Sequence, residues 1–178
     1  MAVAAYLFVQ GVKGESQDKK YKDHIEVQSF GFGANNPSRS NLGTGQAGGK
    51  PTCNDFVITK NTDVSSPPLF QLCALCAQGK HITNAYVVFS RSGAKSGEIE
   101  EFLRIDFDEL VVSSYQTGGG MSDGGTPSET ISFNFAKVHV IYNLMRDGNP
   151  KGQIAAGYDV RETSEFEEGG RMQQIRTS

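Results

Sequence analysis

The feature that most constrains this chain is the run Ile131-Ser-Phe-Asn-Phe-Ala-Lys-Val-His-Val-Ile-Tyr142. Its first half alternates strictly. Ile131, Phe133 and Phe135 share one face and Ser132 and Asn134 the other, the period of a half-buried β-strand. After Lys137 the apolar parity reverses to Val138, Val140 and Tyr142. A one-residue change of parity inside one long strand is the effect of a β-bulge, which bends the strand and moves it between faces. Barrels turn corners in this way.

Similar alternation, rich in β-branched and aromatic residues between turn formers, predicts strands over Tyr6–Val9, Ile25–Phe32, Asp55–Lys60, Ala85–Ser90, Glu98–Ile105, Glu109–Tyr115 and Ile154–Asp159. One helix interrupts them. Ser65 offers an N-cap hydroxyl, Pro67 and Pro68 suit a first turn whose N–H groups are unpaired anyway, and Leu69, Leu72, Cys73 and Cys76 fall at helical spacing. Gly79 provides a left-handed end. The predicted fold is mainly β: a single antiparallel β-barrel of about eight strands with one α-helix near residues 67–78.

At 178 residues the chain suits one domain on a prior of about 150 per domain, and its core needs no disulfide staples. Residues 1–160 are assigned to the barrel and 161–178 to a polar tail. A net charge of −3 without a basic stretch argues against a nucleic-acid surface. No apolar run approaches the ~20 residues of a membrane span. The apolar N-terminus lacks the basic start and small-residue cleavage site of a secretory signal, so it reads as a first strand. Three cysteines, an odd number without such a signal, favour reduced thiols.

The strings that resemble chemical motifs lack the context their chemistry needs. Gly43-Thr-Gly45-Gln-Ala-Gly48 spells a dinucleotide fingerprint, but a strand follows it where a helix N-terminus should hold the pyrophosphate. Cys73-Ala-Leu-Cys76 lies late in the helix, where the dipole raises thiol pKa, so it reads as small apolar packing, with a metal site as the alternative. Glu98, Glu100, Asp106 and Asp108 alternate with Leu103, Ile105 and Phe107, the pattern of a wetted strand face. No G-x-S-x-G elbow accompanies His24, His81 or His139. No catalytic residue, metal site or cofactor is expected.

Ordered blocks along residues 1–160 carry a resemblance. Gly11-Val-Lys-Gly-Glu-Ser16, Phe30-Gly-Phe-Gly33, Phe56-Val-Ile-Thr-Lys60, Ser65-Ser-Pro67, Gly79-Lys-His-Ile82, Val111-Val-Ser-Ser114, Gln116-Thr-Gly-Gly119 and Ser132-Phe-Asn-Phe-Ala-Lys137 resemble the haemolysin-coregulated protein family. These are the tube proteins of bacterial type VI secretion systems. The chain has no tryptophan, and Phe30 and Phe32 stand where the family often carries one.

The resemblance implies a structural protein and not an enzyme. Its copies would form hexameric rings that stack into a hollow tube, and a contractile sheath would expel that tube. A tip spike and effectors would be its other partners. It also implies residence in the bacterial cytoplasm before firing, then secretion without a cleaved signal peptide. A secreted effector or effector chaperone acting apart from the tube, or an unrelated ligand-binding barrel, are the alternatives. With Phe30 and Phe32 as core anchors, Ser29 and Gly31 face the other way and are expected to line the channel, together with Ser113 and Ser114. The long segment from Gly31 to Pro51 is expected to reach a neighbouring subunit or the next ring, with Asn35, Asn36, Ser38, Arg39, Asn41, Thr44 and Gln46 as its contacting residues.

Overall fold

The computed structural model describes residues 3–36, 51–75, 78–92, 99–119, 125–146 and 149–165. In chain order the elements are β1 (Val3–Val9), β2 (Ile25–Val27), β3 (Ser29–Gly31), β4 (Ala34–Asn35), β5 (Thr52–Cys53), β6 (Phe56–Asn61), α1 (Ser66–Ala74), β7 (Ile82–Ser92), β8 (Ile99–Gly118), β9 (Ser128–Arg146), β10 (Asn149–Asp159) and β11 (Ser164–Glu165).

Pairing is antiparallel throughout, and it closes. β1 joins β7, β7 joins β8, β8 joins β9, and the first half of β9 joins β6. β6 pairs with β3, while β2, one residue before β3, returns to β1. Gln28, between the two short strands, keeps the ladder by donating its N–H to Thr59 O at 2.8 Å. This circuit is the expected barrel, and it leaves few open edges. β10 and β11 extend from the second half of β9, beyond β6. The two strands predicted over 98–105 and 109–115 are one, β8, running through Asp106 and Asp108 because both carboxylates point away from the core.

The parity reversal in β9 is real, but its cause differs from the expected bulge. The β8–β9 register is constant from Leu103↔Tyr142 to Val112↔Phe133, straight past Lys137. All three neighbouring strands change parity at one level instead. Core residues jump from Ile82 to Ala85 in β7, from Phe107 to Leu110 in β8 and from Phe135 to Val138 in β9. Ile82 opposes Leu110, which opposes Phe135. Glu109 sits at the centre of this crease with φ +50°, a left-handed backbone that costs a non-glycine residue energy and turns the strand. Because each strand bends at the same height, no residue is left over and no register shifts. True bulges lie elsewhere, beside Phe89/Ser90 and between Val112 and Ser114.

Inside the barrel the rings of Phe56, Phe107 and Phe135 pack in series, tilted against one another, with centroids 4.7 and 5.0 Å apart. Phe107, Leu110, Ile131 and Phe133 are at most 1% exposed, and each contributes about 1.5–3 kcal/mol of apolar burial. α1 is shorter than predicted. It carries the two prolines in its first turn and stops at Ala74. The described Gly79, φ +76°, lies in the later connection to β7. Leu69, Leu72 and Cys73 are the residues that reach the core, and a helix this short persists only where it packs. Cys76 lies outside the described residues.

Candidate functional site

Two surfaces are organised in ways that the core does not require. The first is the outward face of β3, β6 and the adjoining halves of β8 and β9. Strand register aligns Ser29 with Thr59, Thr130 and Gln116 in one row across four strands. The next row is Gly31, Val57, Ser132 and Ser114. Neighbours on this face bond to each other: Ser29 Oγ and Thr59 Oγ1 are 2.6 Å apart, and Ser114 Oγ donates to Ser132 Oγ at 3.1 Å. Asp55 accepts from Ser113 Oγ at 2.5 Å and from Asn134 Nδ2 at 2.9 Å. A Cβ added at Gly31 would meet nothing within 4 Å. Among the described residues the two rows are polar except for Val57, largely pre-bonded and uncharged, with Asp55 at their border. Below the crease the same side of the sheet changes character, with ion pairs Arg104–Asp106, Lys137–Asp159 and Arg161–Glu109.

The four residues expected to line a channel are therefore brought together on one continuous surface. One premise behind that expectation needs correction. Phe32 packs against Phe107 and Phe135, but Phe30 is 45% exposed and, among the described aromatic rings, meets Phe89. The short β3 spans only Ser29–Gly31, so one side of Phe30 is left uncovered. Of the proposed contact loop, Asn35 and Asn36 are exposed, and Asn35 Nδ2 reaches Asn54 Oδ1 at 3.4 Å. Ser38, Arg39, Asn41, Thr44 and Gln46 lie outside the described residues.

The second surface is internal and was missed by sequence reasoning. Lys60, fully buried at the end of the barrel, points inward in phase with Phe56 and Ile58. Its Nζ lies 2.7 Å from Asp63 Oδ1 and 3.0 Å from Glu129 Oε2. It also donates to Asn61 O at 2.8 Å and to Ser66 Oγ at 3.1 Å. Glu129 is 1% exposed and also accepts from Ser66 Oγ at 2.8 Å and Tyr115 OH at 2.7 Å. Burial opposes the charge of Glu129, yet hydrogen bonds from Tyr115, Lys60 and Ser66 hold its carboxyl below the ordinary value. Burial and the bond to Glu129 push the Tyr115 phenol up to about 12.

Ser65, the expected N-cap, makes no capping bond. Its Oγ donates to Asp63, and Ser66 does the tying instead. One ammonium bridges two carboxylates, and the bonds through Ser66 tie α1 to the barrel. The available signal was parity: Lys60 and Glu129 stand at inward positions of strongly alternating strands.

Cys53 and Cys73 are both half-buried thiols, and burial pushes Cys53 above its ordinary pKa. Residues 6–142 match the family described as "Type VI secretion system effector, Hcp". The chain belongs to the Hcp family. It is 31% identical over 164 residues to Protein hcp1 of Pseudomonas aeruginosa, covering 91% of this chain and 98% of that one. A solved type six secretion system protein superposes with a TM-score of 0.83 at 28% identity, over 93% of this chain and all of the other. Hcp1 from Salmonella typhimurium superposes at 0.74 and 30% identity with the same coverage. Membership removes the unrelated ligand-binding barrel from consideration.

It also gives the Hcp-like blocks their physical content. In Gly11-Val-Lys-Gly-Glu-Ser16, Gly11 adopts φ +83°, and a Cβ on Gly14 would lie 2.3 Å from His24 O. Gly14 N and Ser16 N donate to Asp23 O and His24 O at 2.8 and 3.1 Å, closing a tight loop against β2. That loop sets Tyr21 on Tyr6, with ring centroids 4.8 Å apart. Tyr21 OH donates to Glu101 Oε2 at 3.0 Å. The residues of this first block are thus structural.

Proposed function

We propose that this type VI secretion protein is a tube component: six copies close into a ring, rings stack into a hollow tube, and the neutral face of β3, β6, β8 and β9 lines the channel. The observation that supports this reading is the composition of that face. Ser29, Gly31, Ser113 and Ser114 lie on it together with Thr59, Thr130, Ser132 and Asn134, and most of their hydroxyls and amides bond within the wall. Such a wall offers a passing protein neither desolvated hot spots nor dense charge, so it holds cargo weakly and lets it go.

The mechanism is mechanical. The closed ladder and the Lys60–Glu129 lock keep each subunit rigid, while the ion-paired surface below the crease serves subunit contacts. A head-to-tail ring closes heterologous interfaces and covers strand edges such as that of β10. Expulsion by a contractile sheath behind a tip spike, effectors in the lumen, and passage from cytoplasm to target without a cleaved signal complete the reading. Residues 1–160 act as the ring-forming domain and the polar tail beyond is accessory to it.

Electron microscopy of the purified protein tests it. The expected images are six-fold rings with an open centre, and a map should place Ser29 and Gly31 on the inner wall. A protein that stays monomeric across a wide concentration range, or a ring with these residues outside, refutes the reading.

A further inference from the structure

We infer that Asp55 makes the channel wall selective by charge, favouring cargo that presents basic segments and disfavouring acidic ones. The inference rests on the tube reading above, which puts this face inside the channel. No residue in the rows Ser29–Thr59–Thr130–Gln116 and Gly31–Val57–Ser132–Ser114 is ionisable, and Asp55 is the carboxylate that borders them beside Ser113 and Asn134. Both of its carboxylate oxygens are occupied, but only by neutral donors, Ser113 Oγ and Asn134 Nδ2. Those bonds fix the side chain and leave its charge uncompensated, since no cation pairs with it among the described residues.

The contrast with the rest of the sheet sharpens the point. Below the crease Asp106 is matched by Arg104, Asp159 by Lys137 and Glu109 by Arg161. A carboxylate already held in one rotamer spends little further entropy on meeting a cation, and each oxygen keeps lone-pair capacity for a second donor. Ring symmetry then repeats Asp55 at one height, so a basic segment threading the pore meets several carboxylates together. Individually such contacts are weak, but together they act multivalently. Their range is set by the Debye length, about 8 Å at physiological salt.

The test uses assembled rings and three fluorescent peptides of equal length, rich in lysine, in glutamate, or in glycine and serine. Anisotropy should show the lysine peptide binding at low salt and the glutamate peptide excluded. D55N, close to isosteric, should weaken the lysine peptide roughly tenfold (about 1.4 kcal/mol) and flatten its salt dependence. The glycine-serine peptide should be unaffected by D55N. D55E should retain the preference, and E162Q, an exposed charge near the chain's end, should leave it unchanged. Equal binding of the lysine peptide to wild type and D55N overturns the inference.

Should D55N not fold, carbodiimide coupling of the lysine peptide to wild-type rings decides the matter. Attachment at Asp55 found by mass spectrometry supports the inference, and attachment only at other carboxylates overturns it. Failure of the tube reading is separately visible, as an absence of open rings in the same preparation by microscopy.

Discussion

Replacing Lys60 by methionine keeps the length and most of the volume of the side chain and deletes its charge. What remains is Glu129 at 1% exposure and Asp63 beside it, both having lost the ammonium that lay 3.0 and 2.7 Å away. Tyr115 and Ser66 still donate to Glu129, so its desolvation stays partly compensated. Breaking a buried pair by removing one partner costs about 3–5 kcal/mol. For a domain of this size each kcal/mol moves Tm by about 2–4 °C, so the melting temperature should fall by roughly 6–20 °C.

Replacing Glu129 by leucine as well removes the stranded charge, and K60M/E129L should recover most of the loss. pH supplies an independent check. The folded carboxyl of Glu129 is held below the ordinary 4.5, so its contribution to stability is present above that value. It drains as the pH falls through the lower folded pKa. In K60M the part of this contribution that Lys60 supplies is missing from the start, and the gap between wild type and variant should narrow on acidification. The assay is thermal unfolding followed by circular dichroism at one fixed protein concentration, because assembly makes Tm concentration-dependent. A K60M variant within 1 °C of wild type, or a double variant less stable than K60M, refutes the reasoning.

Other outcomes follow from the same geometry. G14A should destabilise by about 1–3 kcal/mol or more, since its Cβ meets backbone atoms of His24 that cannot step aside; calorimetry checks this. G31F should leave stability within about 0.5 kcal/mol of wild type, because its side chain enters open space. The same variant should narrow the channel, seen as lost central density in ring images and reduced entry of a peptide probe. Tyr115 ionises near 12 in the fold and near 10 unfolded, so its share of stability is complete below about pH 10 and lost as the pH rises toward 12. Y115F should remove the component near pH 12 from a tyrosinate absorbance titration, and wild-type and variant curves that coincide there would contradict the assignment.

Local chemistry carried much of the fold into the sequence. Alternation located the strands around Phe56, Val87, Ile105 and Phe133, and the prolines marked the start of α1 within a residue. Parity alone announced the bend near Lys137. Other features were illegible because they join distant positions. Phe30 looked like a core anchor because its alternation is local, whereas its cover depends on how long β3 is. The helix end was misplaced at Gly79, whereas α1 stops at Ala74 with Leu75 as its cap.

By itself the sequence determined the strand-rich class, the position of the parity change, and the ordered blocks shared with Hcp proteins. Only the tertiary structure decided that Ile82–Ala85, Phe107–Leu110 and Phe135–Val138 crease at one height. It alone set Lys60 against Glu129, and it alone gathered the neutral Ser29, Ser113 and Ser114 onto one wall bordered by Asp55. The physical reason is that side-chain parity is a property of each strand alone, read along a few residues. Register and closure are relations between strands far apart in the chain, and they exist only once every backbone N–H has found its partner.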